Sequence, residues 1–574
     1  MYPLAKKIKR NSGMAMIVAM MFVLVSMALL GTLTVQIINQ HRQQARYTDF
    51  RDAFWGVVSA IQESKNSIEF GGNGLVGVVQ WQPNFDSNNN PILPSFDDPG
   101  VQPRTLESDP SVRYFAVTIP WETDGFDNNG DGVVDDPTEE GMVSIYALAE
   151  KNGTVRRVEV ITENVDVNVW QNAIFAGAGQ AGNVINGNVS IHGSVHILGN
   201  NLLPGNPALV VMDLSGTALI HNNYKGIPAI LQQMVSPPPQ TLYDGEIVQT
   251  LFAKLRVKRG LVGISGHAEI GEPNIPGDPY KETMDGVYVN DGWTGNQVIP
   301  NGGRGIPRNV FSDNGYDELY DLGNRVPFPM LSDDWREPDG SRVFNPNTGT
   351  WYTVEEYFSQ VLVGDPDNPN DGIFNGDLTL DARGQKIYWN ATTGTFMQGS
   401  LPPSLPPADH DYIWFDPDTN VLRINGQIRI NGKLIFKGQG NDKTIYYSGK
   451  GAILATDDVT IDTNLYTCNN GNPSNITNSF PVNNAIGIMT KTNMYIGNTS
   501  QLNIAGAFYA QNMIKISKQT EIMGTIVSNY FDMGSQVPNV YQVPALARNL
   551  PYGMIANFPL NALQQVGWRE LGLS

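Results

Sequence analysis

The pattern of apolar and polar positions changes period along this chain. A basic leader (Lys6, Lys7, Lys9, Arg10) gives way to an apolar run from Met14 to Leu33. A helix of that length rises about 30 Å, enough to cross the hydrocarbon core of a bilayer. The basic side should stay cytoplasmic, with the rest of the chain exported. Helical spacing continues to about Ile68, where Val35, Ile38, Ala45, Ala53, Phe54, Val57, Val58 and Ile61 form a broken apolar stripe. Then Ser111 to Trp121, Met142 to Ala149 and Thr154 to Thr162 alternate as strands do. The last two join through Asn152-Gly153, a type I′ hairpin signal. Residues 69–165 therefore read as a small α+β head, with Asp86 to Asp109 as a polar surface loop.

Strict period two returns at Ile185, Gly187, Val189, Ile191, Gly193, Val195 and Ile197, and again from Leu422 to Gly438. Looser relatives begin at Gly451, Ile486, Ala505 and Met523, the last three recurring about every 18 residues, the length of a coil with three short faces. This predicts a parallel β-solenoid whose rungs bury their apolar sides on one another. A β-sandwich or roll is the alternative, and the regular recurrence disfavours it. Residues 166–200 read as a first solenoid portion and 411–535 as a second. Between them 201–410 is expected to be an irregular inserted region, punctuated by Pro237-Pro238-Pro239 and Pro402-Pro403; 536–574 is expected to be a C-terminal cap or tail. The whole is α+β, mostly β: a leader over 1–13, a long N-terminal transmembrane helix over 14–68, the head, then a β-helix with a large insertion.

Composition sharpens this picture. Only 16% of the 574 residues are charged, with 59 Gly and 37 Pro, as suits many strands linked by turns. The net charge of −19 argues against nucleic acid as a partner of the body. A single cysteine excludes an internal disulfide, so rigidity must come from packing, backbone ladders or bound metal.

One local motif carries chemistry. Asp127-Asn128-Asn129-Gly130-Asp131-Gly132-Val133-Val134-Asp135 has the front of an EF-hand-type calcium loop. Asp127, Asn129 and Asp131 aim hard oxygens at one point, Val133 offers its carbonyl, and Asp135 binds through water. Thr138 stands where the bidentate glutamate usually falls, so Glu139 or Glu140 is expected to supply it. Ca2+ here would clamp a strand connection; an acidic turn without metal is the alternative. A second acidic stretch, Asp365 to Gly372, has Pro369 where a ligand should fall. Lys254, Arg256 and Lys258 share one strand face and read as a solvated basic stripe. No catalytic constellation stands out. His192 and His196 share a strand face but lie roughly 13 Å apart, and His221, His267, His410 and Cys468 look isolated. The chain is expected not to be an enzyme.

A basic leader ending in Gly13, then Met14-Ala15-Met16-Ile17-Val18-Ala19 and an apolar helix, resembles the N-terminus of type IV prepilin-like proteins. It is most similar to the PilX-type minor pilins, which resemble the K-type minor pseudopilins of type II secretion. Ala53-Phe54-Trp55-Gly56-Val57-Val58-Ser59-Ala60-Ile61 is similar to that family's AFxAAEAGI-like segment, with Val58 replacing the glutamate. The resemblance covers about the first 65 residues. It implies cleavage after Gly13 by a prepilin peptidase and methylation of the new N-terminus, Met14. It also implies a single-pass stage in bacterial inner-membrane lipid, then assembly with other pilin or minor pilin subunits in an extracellular pilus or periplasmic pseudopilus. Major pilins of the family carry a glutamate at the fifth mature position; here that position is Val18, and no acid occurs before Asp49. This implies a place at the fibre tip, where the subunit docks onto none ahead of it. The solenoid, similar to the bactofilins, would then be displayed for adhesion or assembly priming, with a tip adhesin or surface glycan as a further partner. A permanent signal anchor, a signal cleaved near Ser26-Met27-Ala28, and an anchored envelope scaffold binding wall glycan remain open alternatives.

Overall fold

The computed structural model describes residues 12–69, 73–87, 90–128, 134, 142–181, 185–200, 202, 209–297, 308–314, 320–322, 326–337, 340–363, 372–390, 395–400, 404–406, 410–438, 444–533, 538–556 and 561–571. They form two compact units: Met1–Val165 with Asn561–Ser574, and Asp166–Leu560.

The first unit is built on one helix, Ser12–Glu69, which no proline interrupts. Its second half packs on a five-stranded sheet ordered Arg104–Thr105, Arg113–Pro120, Met142–Lys151, Thr154–Asp166 and Asn561–Glu570. The turn between Met142–Lys151 and Thr154–Asp166 places Asn152 and Gly153 at φ of 50° and 78°, as a type I′ turn requires. Alternation then sorts the strand residues. Tyr114, Ala116, Ala147 and Val158 face Ala53, Val57, Ala60 and Ile61 of the helix, while Phe115 and Leu148 face the other way. That second face is covered by the stretch expected to be a surface loop. Val101 and Phe96 pack on it, with the Phe96 ring 4.8 Å from that of Phe115. The polar residues of 86–109 hide a few apolar anchors whose spacing carries no period.

The C-terminal segment also differs from its expected role as a cap or tail. Residues 539–541 add a rung to the solenoid, and Asn561–Glu570 joins the head sheet beside Thr154–Asp166. Strand contacts separated by some four hundred residues leave no local signal in sequence.

The second unit is a parallel β-solenoid. On its middle column the inward residues stack in register as Ile428, Ile453, Ile488, Phe508, Ile526, Ile174, Val195, Leu255 and Val287. All are 0–1% exposed. The order shows how the chain is laid down. It enters the coil in the middle, at Ile174–Gln180, and winds outward through Val195–Ile197 and Lys254–Val257 to Gly286–Val289. It restarts at Ile373–Asn375 and winds back until Thr520–Asp532 pairs with Ile174–Gln180. Two halves distant in sequence meet at a parallel seam.

The described residues of 201–410 are therefore not simply an irregular insertion. Val210–Gly216, Leu219–His221, Lys254–Val257, Leu261–Ile264, Glu269–Ile270 and Gly286–Val289 are rungs of the first half, and Ile373–Asn375 with Leu378–Asp381 open the second. Excursions such as the helix Ala229–Met234 and the hairpin Gln240–Tyr243/Glu246–Gln249 lengthen the coils and erase the 18-residue period about which the sequence pattern is built. Between the halves, residues 326–337 and 340–363 belong to a strap that crosses the seam. Phe328 stacks on Phe175 of the first half at 6.4 Å and on Tyr509 of the second at 6.2 Å. The Tyr509 hydroxyl donates to the Pro329 carbonyl at 2.9 Å.

Close approach between rungs fixes one glycine. Gly524, at φ +134°, is paired with Gly506, and a Cβ there would lie 1.9 Å from the Gly506 carbonyl oxygen. Gly245, at φ +85°, has open space around it. Both substitutions to alanine carry backbone strain of about 1–2 kcal/mol; Gly524→Ala adds a collision worth about 1–3 kcal/mol more. Thermal unfolding of the full chain in detergent should thus show Gly524→Ala melting well below Gly245→Ala. Equal melting temperatures would refute the rung assignment.

Candidate functional site

The helix Ser12–Glu69 changes character along its length. From Met14 to Ile38 its large apolar side chains are bare, with Met14 73% and Phe22 75% exposed. No charged residue occurs between Met14 and Gln40. Hydroxyls that would be costly in lipid are satisfied within the helix: Thr32 donates to the Leu29 carbonyl at 2.9 Å and Thr34 to Leu30 at 2.7 Å. An apolar surface on every side of a helix needs lipid or other helices around it. Among the described residues this is the one helix long and apolar enough to cross a membrane. The processing pair expected from sequence, Gly13 and Met14, stands at its start, and Val18 is 58% exposed.

From Ala53 onward the helix is a packing element. Small residues let it approach the sheet: a Cβ on Gly56 would lie 2.7 Å from Ala149 Cβ and 2.8 Å from Val112 Cγ1. The family-like segment 53–61 thus has a mechanical explanation here, with Ala53, Gly56, Val57 and Ala60 all buried against the sheet. The helix's acids clamp the same surface. Lys151 bridges Asp52 at 2.7 Å and Asp109 at 2.6 Å, and Glu63 accepts from the Tyr114 hydroxyl at 2.6 Å while pairing with Arg104 at 2.7 Å. The Lys151 ammonium, helped by Ser111, holds the Asp109 carboxyl down at about 2, and with Arg51 it lowers that of Asp52.

Of the expected calcium ligands, Asp127 is described and is half-buried. Asn129, Asp131, Val133, Asp135 and Glu139 lie outside the described residues, as does the acidic stretch 364–371.

On the solenoid, parallel stacking brings together residues that look isolated in sequence. His192 and His221 are register partners, their rings stacked 4.5 Å apart, and Tyr541 stacks on the opposite side of His192 at 4.5 Å. All three are buried. The signal was the repeated Ile-His at 191–192 and 220–221, legible only once the rungs are aligned. Burial and its neighbour His221 push the pKa of His192 well below the usual imidazole range. The basic stripe differs from its expected solvated state. Arg256 is 8% exposed and bidentate to Asp321, donating from Nε to Oδ1 at 2.9 Å and from Nη2 to Oδ2 at 2.9 Å, because residues 320–322 fold over it. Cys468 is buried, and burial pushes its thiol up to about 11, leaving it protonated at neutral pH.

No protein-family model matches the chain. No curated protein sequence matches it either. Among solved structures it is similar to the crystal structure of competence-associated pilin ComZ from Thermus thermophilus, at 18% identity and a TM-score of 0.46, over 91% of this chain and 98% of that one.

Because the Asp109 and Asp52 pKa values are depressed in the folded head, the clamp stabilises fully above the ordinary carboxylate pKa of about 4 and is lost as pH falls through about 2. Thermal stability of the head should be flat from pH 7 to about 4 and decline below it. Lys151→Met should lower stability at pH 7 and flatten that decline. An unchanged acid slope in Lys151→Met would exclude the clamp as its source.

Proposed function

We propose that this chain is a non-enzymatic, minor pilin-like subunit. It is cut after Gly13, methylated on Met14, and assembled through its helix, at the tip, into a type IV pilus or pseudopilus, where it displays the solenoid for adhesion or assembly priming. One observation carries the reading: a single helix is bare and uncharged along its first half and forms the core of an antiparallel head along its second. The first half is stored in inner-membrane lipid and passes into a helical fibre core without meeting water. Val18 favours the tip. A buried charge is costly unless paired, and a subunit without one gains nothing from docking behind another. Other pilin subunits are the expected partners, with the peptidase acting earlier. Ca2+ at Asp127, Asn129, Asp131, Val133, Asp135 and Glu139 would tie the strand connection in the head.

Mass spectrometry of the native N-terminus tests the processing step. A chain beginning at N-methylated Met14 supports the proposal, whereas an intact leader or cleavage after Ala28 favours the anchored scaffold and overturns it. For the loop, calcium should raise the melting temperature of the full chain in detergent, and Asp131→Ala should abolish that shift. A parent chain indifferent to calcium would reject the site.

A further inference from the structure

We propose that His221, Glu272 and Glu282 form a binding site for a divalent transition-metal ion of the zinc class, independent of the pilin reading. The backbone builds it. Leu219–His221 runs parallel to Glu269–Ile270, so His221 lies level with Gly271 and next to Glu272. The Glu272 N–H then donates to the Glu282 carbonyl at 3.0 Å, drawing the two glutamates together. One ligand atom from each of the three side chains lies within 4.8 Å of the others.

Two facing atoms of the cluster have only each other, as an ion pair without hydrogen-bond geometry, among the described residues. Nδ1 of His221 and Oε2 of Glu272 are buried and make no hydrogen bond, although they lie 3.4 Å apart. His221 is only 6% exposed. Leaving such atoms unsatisfied is costly. Their spacing also has a meaning: ligands about 2.0–2.1 Å from a tetrahedral zinc lie about 3.4 Å from one another. Glu282, 1% exposed, is held by Asn223 Nδ2 at 2.8 Å and by Lys225 Nζ at 2.7 Å. A carboxylate has lone pairs beyond those two contacts.

Charge and donor type select the ion. Among the described residues the ammonium acting on both Glu272 and Glu282 is Lys225, whose side chain is 43% exposed and free to withdraw into water. One imidazole nitrogen with two carboxylates suits zinc and its first-row neighbours, whereas calcium and magnesium take oxygen alone. The Glu272 side chain, 27% exposed, gives the ion a path from solvent. Bound there, the metal would staple the 271–284 loop to the rung that carries His221, beside the seam.

The test uses the full chain in detergent, stripped with chelator and dialysed against zinc with excess calcium to fill all-oxygen sites. The parent should retain one zinc per chain. His221→Ala and Glu272→Gln should each weaken binding at least about tenfold, and Lys225→Met should tighten it about tenfold. With cobalt in place of zinc, the parent should show visible d–d bands that Glu272→Gln loses. No retained zinc in the parent, or equal retention in parent, His221→Ala and Glu272→Gln, would overturn the proposal. Glu272→Gln keeps the shape of the site, so its loss of metal cannot be ascribed to misfolding if its melting temperature without metal matches the parent's.

Discussion

The second unit is spliced between two neighbouring strands of one sheet, and that placement governs its architecture. Leu571 donates to the Arg157 carbonyl, and Gly567 lies against Ile161, so Asn561–Glu570 and Thr154–Asp166 run antiparallel. The chain therefore leaves and rejoins the sheet within about one strand spacing, roughly 5 Å. A solenoid wound continuously from one end to the other would carry its termini tens of Å apart, since each rung adds about 4.8 Å. The chain resolves the conflict by entering and leaving near the middle of the coil. A clasp inside the second unit marks the spot: Trp170 Nε1 donates to the Ile555 carbonyl at 2.8 Å and Asn168 Nδ2 to Ala556 at 3.1 Å.

Winding outward from the middle exposes a problem that the seam solves. Each half, taken alone, would present an edge of unpaired N–H and C=O groups on its first or last rung. Pairing Ile526 with Ile174 and Val540 with Ile191 joins those edges and continues the apolar ladders through the join. The strap over Phe175 and Tyr509 then seals the outside. The seam, the strap and the clasp involve the same few rungs, so they should lose structure together.

Much of this was legible in sequence, and the losses have physical causes. The helix, the head strands and the hairpin at Asn152-Gly153 follow local periods and turn chemistry. So do the rungs at 185–197 and 422–438, where six-residue spacing keeps inward positions aligned. Rungs inside 201–410 were hidden because most of these parallel strands have only two to four residues, too few for a period, and long excursions separate them. The even-numbered residues His192 and His196 point away from the coil yet are 2% and 1% exposed, because other segments cover them. Alternation reports which side of a strand a residue takes, not whether a second layer lies beyond it. The His221, Glu272 and Glu282 cluster was invisible for the same reason: the three meet only after rung stacking and one backbone hydrogen bond.

Stiffness without disulfides then becomes a question of what the outward faces do. Cys468 is buried and alone, and the inward ladders are aliphatic and non-directional. Register must therefore be enforced from outside. Side chains at paired positions bond along the coil axis: Lys515 to Asp532 at 3.1 Å, Asn431 to Asn375 at 2.7 Å, and Asn464 to Thr444 at 3.1 Å. Each is weak on an exposed surface, but a one-residue slip of any rung would break its bond and turn the inward aliphatic residues outward. The apolar ladders supply the stability and the polar ladders choose the register. A body built this way stays rigid although its acidic surface carries most of a net charge of −19.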